Sequence, residues 1–355
     1  MKQAQKNNDR RDLYAEITTK LLTEMEQGVL PWRRPWELGN VAGGQNSLPQ
    51  NAITGRPYNG MNRLLLVMSP ITMCDPDPRW CTYSQAQEQD WQVRKGEKGT
   101  PVIFYKMLEL RGKAGGREDD PDLSDGRRAA QAALSGASFE PEESDGPRRI
   151  PLLKTYTLFH ASQIDGIPSF SPAAANEQRW TPVEMAERMV EGSGATILHG
   201  GNRAFYAPSP DVIGMPPRSA FPTAEAYYAT QLHELGHWTG HESRLARPFG
   251  FDRASEGYAR EELRAELASV FLGLEVGLEP PVQEAASYLS AWLKVLQNDK
   301  KEIFRAAADA QRATEYILRL GGATPDIEFD ADEVSWMGTP DDLVAAAPSR
   351  RGLSR

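Results

Sequence analysis

"QLHELGHWTGHES", residues 231–243, carries three of the five histidines of this 355-residue chain. His233, His237 and His241 are spaced by four, and Glu234 follows the first directly. The flanking residues are strong helix formers, so residues 222–241 read as one helix. On a helix, positions i and i+4 lie on one face a turn apart, so His233 and His237 can aim their imidazoles at one metal ion. Glu234 is turned by about 100° and flanks that ion rather than filling the same slot. This is H-E-x-x-H, in which the glutamate serves as general base toward a water at the metal.

The five-residue pattern alone is common in helices. A second stretch, "YAREELRAELASVFLGLEVG" at 258–277, gives it weight. It too reads as a helix, with Glu262 and Glu266 four apart and Leu263, Leu267, Val270 and Phe271 on the opposite face. Carboxylates buried beside histidines are costly unless a cation neutralises them. A metzincin would place a third histidine where Ser243 stands, and His241 comes two residues early. The pattern therefore fits a gluzincin, in which two histidines and a glutamate of the next helix hold the ion. Glu262 is assigned to the metal and Glu266 to orienting a histidine from behind. The spacing leaves the reversed assignment of the two glutamates open. His241 reads as a residue at the helix end or cleft rim, and His160 and His199 as structural.

Outward from these helices the chain reads as α+β. A helix is expected over 10–28 and another after the Thr181-Pro182 start signal. A strand is expected from Pro101 to Lys106 and again over 152–164. "GNRAFYAPSPDVIGMPP" reads as a short strand, a turn and a second extended piece, and 281–320 as one or two helices. Residues 111–149 are rich in Gly, Pro, Asp, Glu and Arg, with almost no large apolar side chains, and are expected to be a disordered insertion between two paired strands. The expected organisation is a first domain over 1–168, a linker over 169–180, a mostly helical second domain over 181–322, and a tail over 323–355.

The chain has 40 Lys+Arg, 49 Asp+Glu and a net charge of -9. Residues 1–110 hold 14 basic and 12 acidic residues and are the basic part of an acidic protein. There Trp32, Arg33, Arg34, Trp36, Arg56, Tyr58, Arg94, Lys95 and Lys98 interleave cations with rings, the pairing used on single-stranded nucleic acid. Core aromatics and a solvated basic surface are the ordinary reading of the same residues. Cys74 and Cys81 match no redox or zinc spacing and read as buried or half-buried thiols. The polar N-terminus and the lack of a long apolar run point to a cytoplasmic protein with no membrane partner.

"GVLPWRRPW", "NAITGRPYNGMN" and "VRKGEKGTPVIFYK" resemble the N-terminal single-stranded-DNA-binding domain of ArdC-type antirestriction proteins, a domain also found in plasmid primases. "DVIGMPP", "HELGHWTGH" and "YAREELRAELASVFLG" resemble the zincin-like metallopeptidase domain of the same proteins. The resemblance implies an antirestriction protein of a mobile element that binds single-stranded DNA and shields incoming DNA. It also implies a peptidase domain, and leaves open both whether proteolysis serves antirestriction and the protein substrate, for which a restriction component is one candidate. Zn²⁺ is the expected ion, with Mn²⁺ or Co²⁺ fitting the same N/O donors. The competing reading is a binding-only DNA-protection protein whose metal is structural.

Overall fold

The computed structural model describes residues 12–33, 48–72, 74–75, 77–110, 148–170, 181–250, 252, 255–278 and 288–321. Two compact units are present, Met1–Val102 with Thr157–Ile327, and Ile103–Tyr156 with Glu328–Arg355. In the second, the described residues are the outer ends of two strands, where the Phe104 and Tyr156 rings meet edge-on at 4.8 Å. The first unit takes in residues from both sides of the 169–180 segment.

Helix α1 (Leu13–Glu26) starts where the Asp12 carboxylate accepts the Ala15 amide, and it buries Leu21 and Met25. Gly28, with φ of +79°, turns the chain away from it. The next turn, Pro31–Arg33, is a single 3₁₀ turn. Strand β1 (Gln50–Asn51), helix α2 (Gly60–Val67), strand β2 (Arg79–Thr82), helix α3 (Tyr83–Glu88) and strand β3 (Gln92–Val93) follow. Strands β4 (Thr100–Leu110) and β5 (Arg148–His160) complete a sheet of order β1-β2-β5-β4. The 111–149 insertion thus joins neighbouring strands, and its residues 111–147 lie outside the described residues. Strand β6 (Ile164–Asp165) pairs antiparallel with β3.

Helix α4 (Pro182–Ser193) is fixed by a capping box between Thr181 and Glu184 and ends at Gly194 in the left-handed region. Strands β7 (Thr196–His199), β8 (Phe205–Ala207) and β9 (Val212–Met215) form a sheet of order β7-β9-β8. Central β9 buries Ile213 and Met215, while β8 is an edge running antiparallel to it. Helices α5 (Ala224–Trp238), α6 (Glu256–Val276), α7 (Leu289–Asn298) and α8 (Glu302–Leu320) complete the unit. The core under the second sheet joins α4, β9, α5, α6 and α8 through Met189, Met215, Leu232, Leu235, Leu272 and Ile317. Among the described residues no helix is long and apolar enough to cross a membrane. Cys81 is buried, and that burial pushes its thiol up to about 11, but Cys74 is exposed, against the expectation of two enclosed thiols.

Candidate metal centre

Helix α5 begins where Thr223 accepts the Ala226 amide, and α6 where Ser255 accepts the Tyr258 amide. Both caps set the phase of the side chains that follow. The helices pack closely at Gly236. A Cβ there would lie 3.2 Å from the Ala265 carbonyl oxygen and 3.3 Å from Ala265 Cα and Ala268 Cβ. A Cβ at this position would require the histidine face of α5 and the carboxylate face of α6 to give by a few tenths of an ångström.

His233, His237 and Glu262 each offer one ligand atom, and these atoms lie within 4.8 Å of one another. Nε2 of His233 is 3.5 Å from one Glu262 oxygen, and Nε2 of His237 is 3.7 Å from the other. The opposite nitrogens face two further glutamates. Nδ1 of His237 is 3.2 Å from Glu261, and Nδ1 of His233 is 4.0 Å from Glu266. An arginine stands behind each of these. Arg247 donates to both oxygens of Glu261 at 2.8 and 3.1 Å. Arg33 donates through Nε and Nη2 to both oxygens of Glu266. The Trp32 indole adds a hydrogen bond to Glu266 at 3.1 Å.

Charge follows this geometry. Burial opposes a charged imidazolium, yet the hydrogen bonds to Glu261 and Glu262 prevail and raise His237 to about 10. His233 rises as well, with burial opposing and the Glu262 hydrogen bond favouring its charged form. Burial would raise Glu262, but both histidines hold it well below the usual carboxylate range. Glu261 is lowered against its burial, chiefly by the Arg247 charge. Tyr258 is raised by burial and by its hydrogen bond to Glu262, so it stands as a phenol donor. Arg247 and Arg33 already offset Glu261 and Glu266, so Glu262, with Glu234 in the same cavity wall, is left for a cation to complement.

The cluster opens into a cavity of about 260 Å³ lined by His233, Glu234, Glu262, Tyr258 and Arg33, with Phe205 and Tyr206 of edge strand β8. Glu234 is buried in that wall next to the histidines in sequence. Of the residues expected from sequence, His233, His237, Glu262, Glu266 and Glu234 are brought together. His241 lies beyond the end of α5 and bonds the Ser243 hydroxyl at 2.7 Å. His160 is buried with Nε2 against the Asp77 carbonyl, and His199 bonds the Tyr227 hydroxyl at 2.7 Å. Sequence reasoning missed Glu261, Arg247 and Tyr258.

The expected nucleic-acid residues separate into three groups. Trp32 and Arg33 are corrected: at 0% and 9% exposure they are buried against Glu266 and Trp292, not presented to a ligand strand. Arg56, Lys95 and Lys98 are exposed, Tyr58 is half-buried, and Arg94 is exposed but pairs with Glu97 at 3.1 Å and Asp165 at 3.3 Å. Arg34 and Trp36 lie outside the described residues.

Residues 184–309 match the family of zincin-like metallopeptidases, and residues 11–159 match the N-terminal domain of the anti-restriction factor ArdC. The metal-free crystal structure of antirestriction ArdC from plasmid R388 superposes with a TM-score of 0.66 at 33% identity, covering 89% of this chain and 100% of that one. The chain belongs to the ArdC antirestriction family. The Mn(II)-bound structure of the same ArdC gives a TM-score of 0.65 at 32% identity. Two Escherichia coli proteins named DNA primase TraC are 41% and 43% identical over 87% and 85% of this ArdC-type chain. The aligned part is only 27% and 19% of those relatives' length, so their activity as a whole does not transfer to it.

Proposed function

We propose that this protein is an antirestriction factor of a mobile element, with a metallopeptidase centre at His233, His237 and Glu262 and single-stranded DNA as its nucleic-acid partner. The observation that carries the first half is the convergence of the three ligand atoms within 4.8 Å in the wall of a cavity that Glu234 also lines. The donors fit a divalent ion: two imidazole nitrogens and a carboxylate suit Zn²⁺, Mn²⁺ or Co²⁺, and each outer nitrogen already faces an orienting carboxylate. A divalent cation held there supplies Lewis-acid polarisation of a water and of a peptide carbonyl. Glu234 takes the water's proton and delivers it to the leaving amine. Edge strand β8 offers unpaired backbone groups to an extended peptide, and Phe205, 49% exposed, offers its ring to a side chain of that peptide.

For nucleic acid, the exposed Arg56, Arg94, Lys95 and Lys98 remain the phosphate contacts, and affinity is expected to fall steeply with salt. The peptidase test is metal content and digestion of unfolded casein by the wild type and by Glu234→Ala. Both should hold about one ion per chain, and only the wild type should cleave. Equal cleavage would remove Glu234 from the chemistry. Absence of metal in the wild type would remove the centre itself. The DNA test is fluorescent oligo-dT titration over a salt series. Replacing Lys95 and Lys98 with Ala together should weaken binding and flatten the slope, and an unchanged slope would exclude those lysines.

A further inference from the structure

Glu266 is the most enclosed carboxylate facing the histidines, at 1% exposure. Its positive partner comes from neither its own helix nor the second sequence segment, but from Arg33, 233 positions earlier. Both carboxylate oxygens are gripped by the guanidinium fork, and the Trp32 indole donates to one of them as well. This pins the carboxylate against rotation. Its free face lies 4.0 Å from Nδ1 of His233, whose Nε2 looks toward Glu262. Rotation of the His233 ring is thus limited from both sides.

We propose that Arg33 is a positioning residue of the metal centre, contributed by the N-terminal segment: it locks Glu266, Glu266 orients His233, and the ion is held more tightly as a result. The proposal rests on reading His233, His237 and Glu262 as ligands. Stability alone is a poor reason for this ion pair, because a buried pair gains little over apolar side chains of equal volume. Among the described residues, Arg33 is also not the hub of a wider structural network. Its Nη1 has no hydrogen-bond partner among the described residues, so Glu266 is the group that orients the guanidinium. The other buried arginine of the first segment, Arg63, does differ: it bonds Glu275, Asn59 and the Tyr58 carbonyl, and lies apart from the cavity lining.

The test is calorimetric titration of the metal-stripped full chain with Zn²⁺ and with Mn²⁺, alongside the melting temperature of each metal-free variant. Arg33→Met should weaken metal binding measurably, up to the roughly 10–100-fold usual for losing a group that orients a ligand directly. Arg33→Lys keeps the charge without the fork and should recover only part of that loss. Arg33→Met/Glu266→Leu leaves no unpaired buried charge, so it should fold with a melting temperature near that of the wild type and still bind the ion weakly. Trp32→Phe keeps an aromatic ring in a smaller volume, removes one donor to Glu266 and should produce a smaller loss. If Arg33→Met and the double variant bind metal as the wild type does, the proposal is overturned, whatever their melting temperatures. If the wild type binds neither ion, the ligand reading fails instead, and the two failures are told apart by that single titration.

Discussion

His237 and His233 each turn one nitrogen toward Glu262 and the other toward a glutamate gripped by an arginine, yet the two arms are built over very different spans. In the His237 arm, Arg247 is 14 residues from Glu261. It also donates to the Gly236 carbonyl at 2.7 Å and to the Thr239 hydroxyl at 2.8 Å. That arginine is anchored to the end of α5 as well as to its carboxylate, so its position follows from the local fold. In the His233 arm, Arg33 spans 233 residues and is oriented by Glu266 itself. The contact is also looser, 4.0 Å from Glu266 to the imidazole against 3.2 Å from Glu261. One arm belongs to the peptidase-like segment alone. The other makes that segment's site depend on the N-terminal segment.

The largest expected effect breaks both arms together. His237→Ala removes a ligand and should abolish metal binding, as should Glu262→Gln, whereas His241→Ala should bind metal as the wild type does; equilibrium dialysis decides. Loss of the ion with His241→Ala would require a different ligand set. Next comes the contrast between the arginines. Arg247→Met leaves buried Glu261 with His237 as its one remaining partner among the described residues and frees two further acceptors, so it should cost about 3–5 kcal/mol of stability in urea unfolding. A cost below that of Arg33→Met would mean that the local arm is not the better anchored one.

Gly236→Ala pushes the helices apart where the contacts are already 3.2–3.3 Å and should cost about 1–3 kcal/mol. Metal affinity should fall with it, because both arms depend on the same helix spacing. The smallest effect is a control outside both arms. The Arg244 hydrogen bond is the main cause holding Asp211 at about 2, below its ordinary 3.8. A carboxyl lowered by folding contributes stability that is present above about 3.8 and lost as pH falls through about 2. Asp211→Asn should flatten the melting temperature slightly across that window and leave metal affinity alone. A shift in affinity would show that the arms are not the only route into the site.

Much of the centre was legible because helical geometry is local. Once 222–241 and 258–277 read as helices, the four-residue spacings dictated which histidines and which glutamates share a face. Caps and glycines gave most helix ends for the same reason, although α5 stops at Trp238 and leaves His241 outside it. Glu261 was not legible, because adjacent glutamates differ by about 100° in direction and only the crossing of α5 over α6 decides which partner each one meets. Arg247 sits in the chain after α5, where spacing carries no signal. Trp32 and Arg33 were misread for a related reason. A tryptophan beside arginines has the composition of a nucleic-acid platform and of a buried cap alike, and the choice is made by Glu266, far away in sequence.

The span between Arg33 and Glu266 also has a consequence in time. During synthesis at roughly 5–20 residues per second, the guanidinium emerges about 10–50 s before the carboxylate it grips. His233 is made in the interval, before Glu262, Glu261 and Glu266 exist. The nascent chain therefore carries its histidine helix with none of the α6 glutamates beside it, and the cage closes only after α6 has left the ribosome and the early turn has found it. A chain cut short before α6 would expose the histidines yet lack the groups that hold and aim them, so the chemistry proposed for this cavity is withheld until most of the chain has been made.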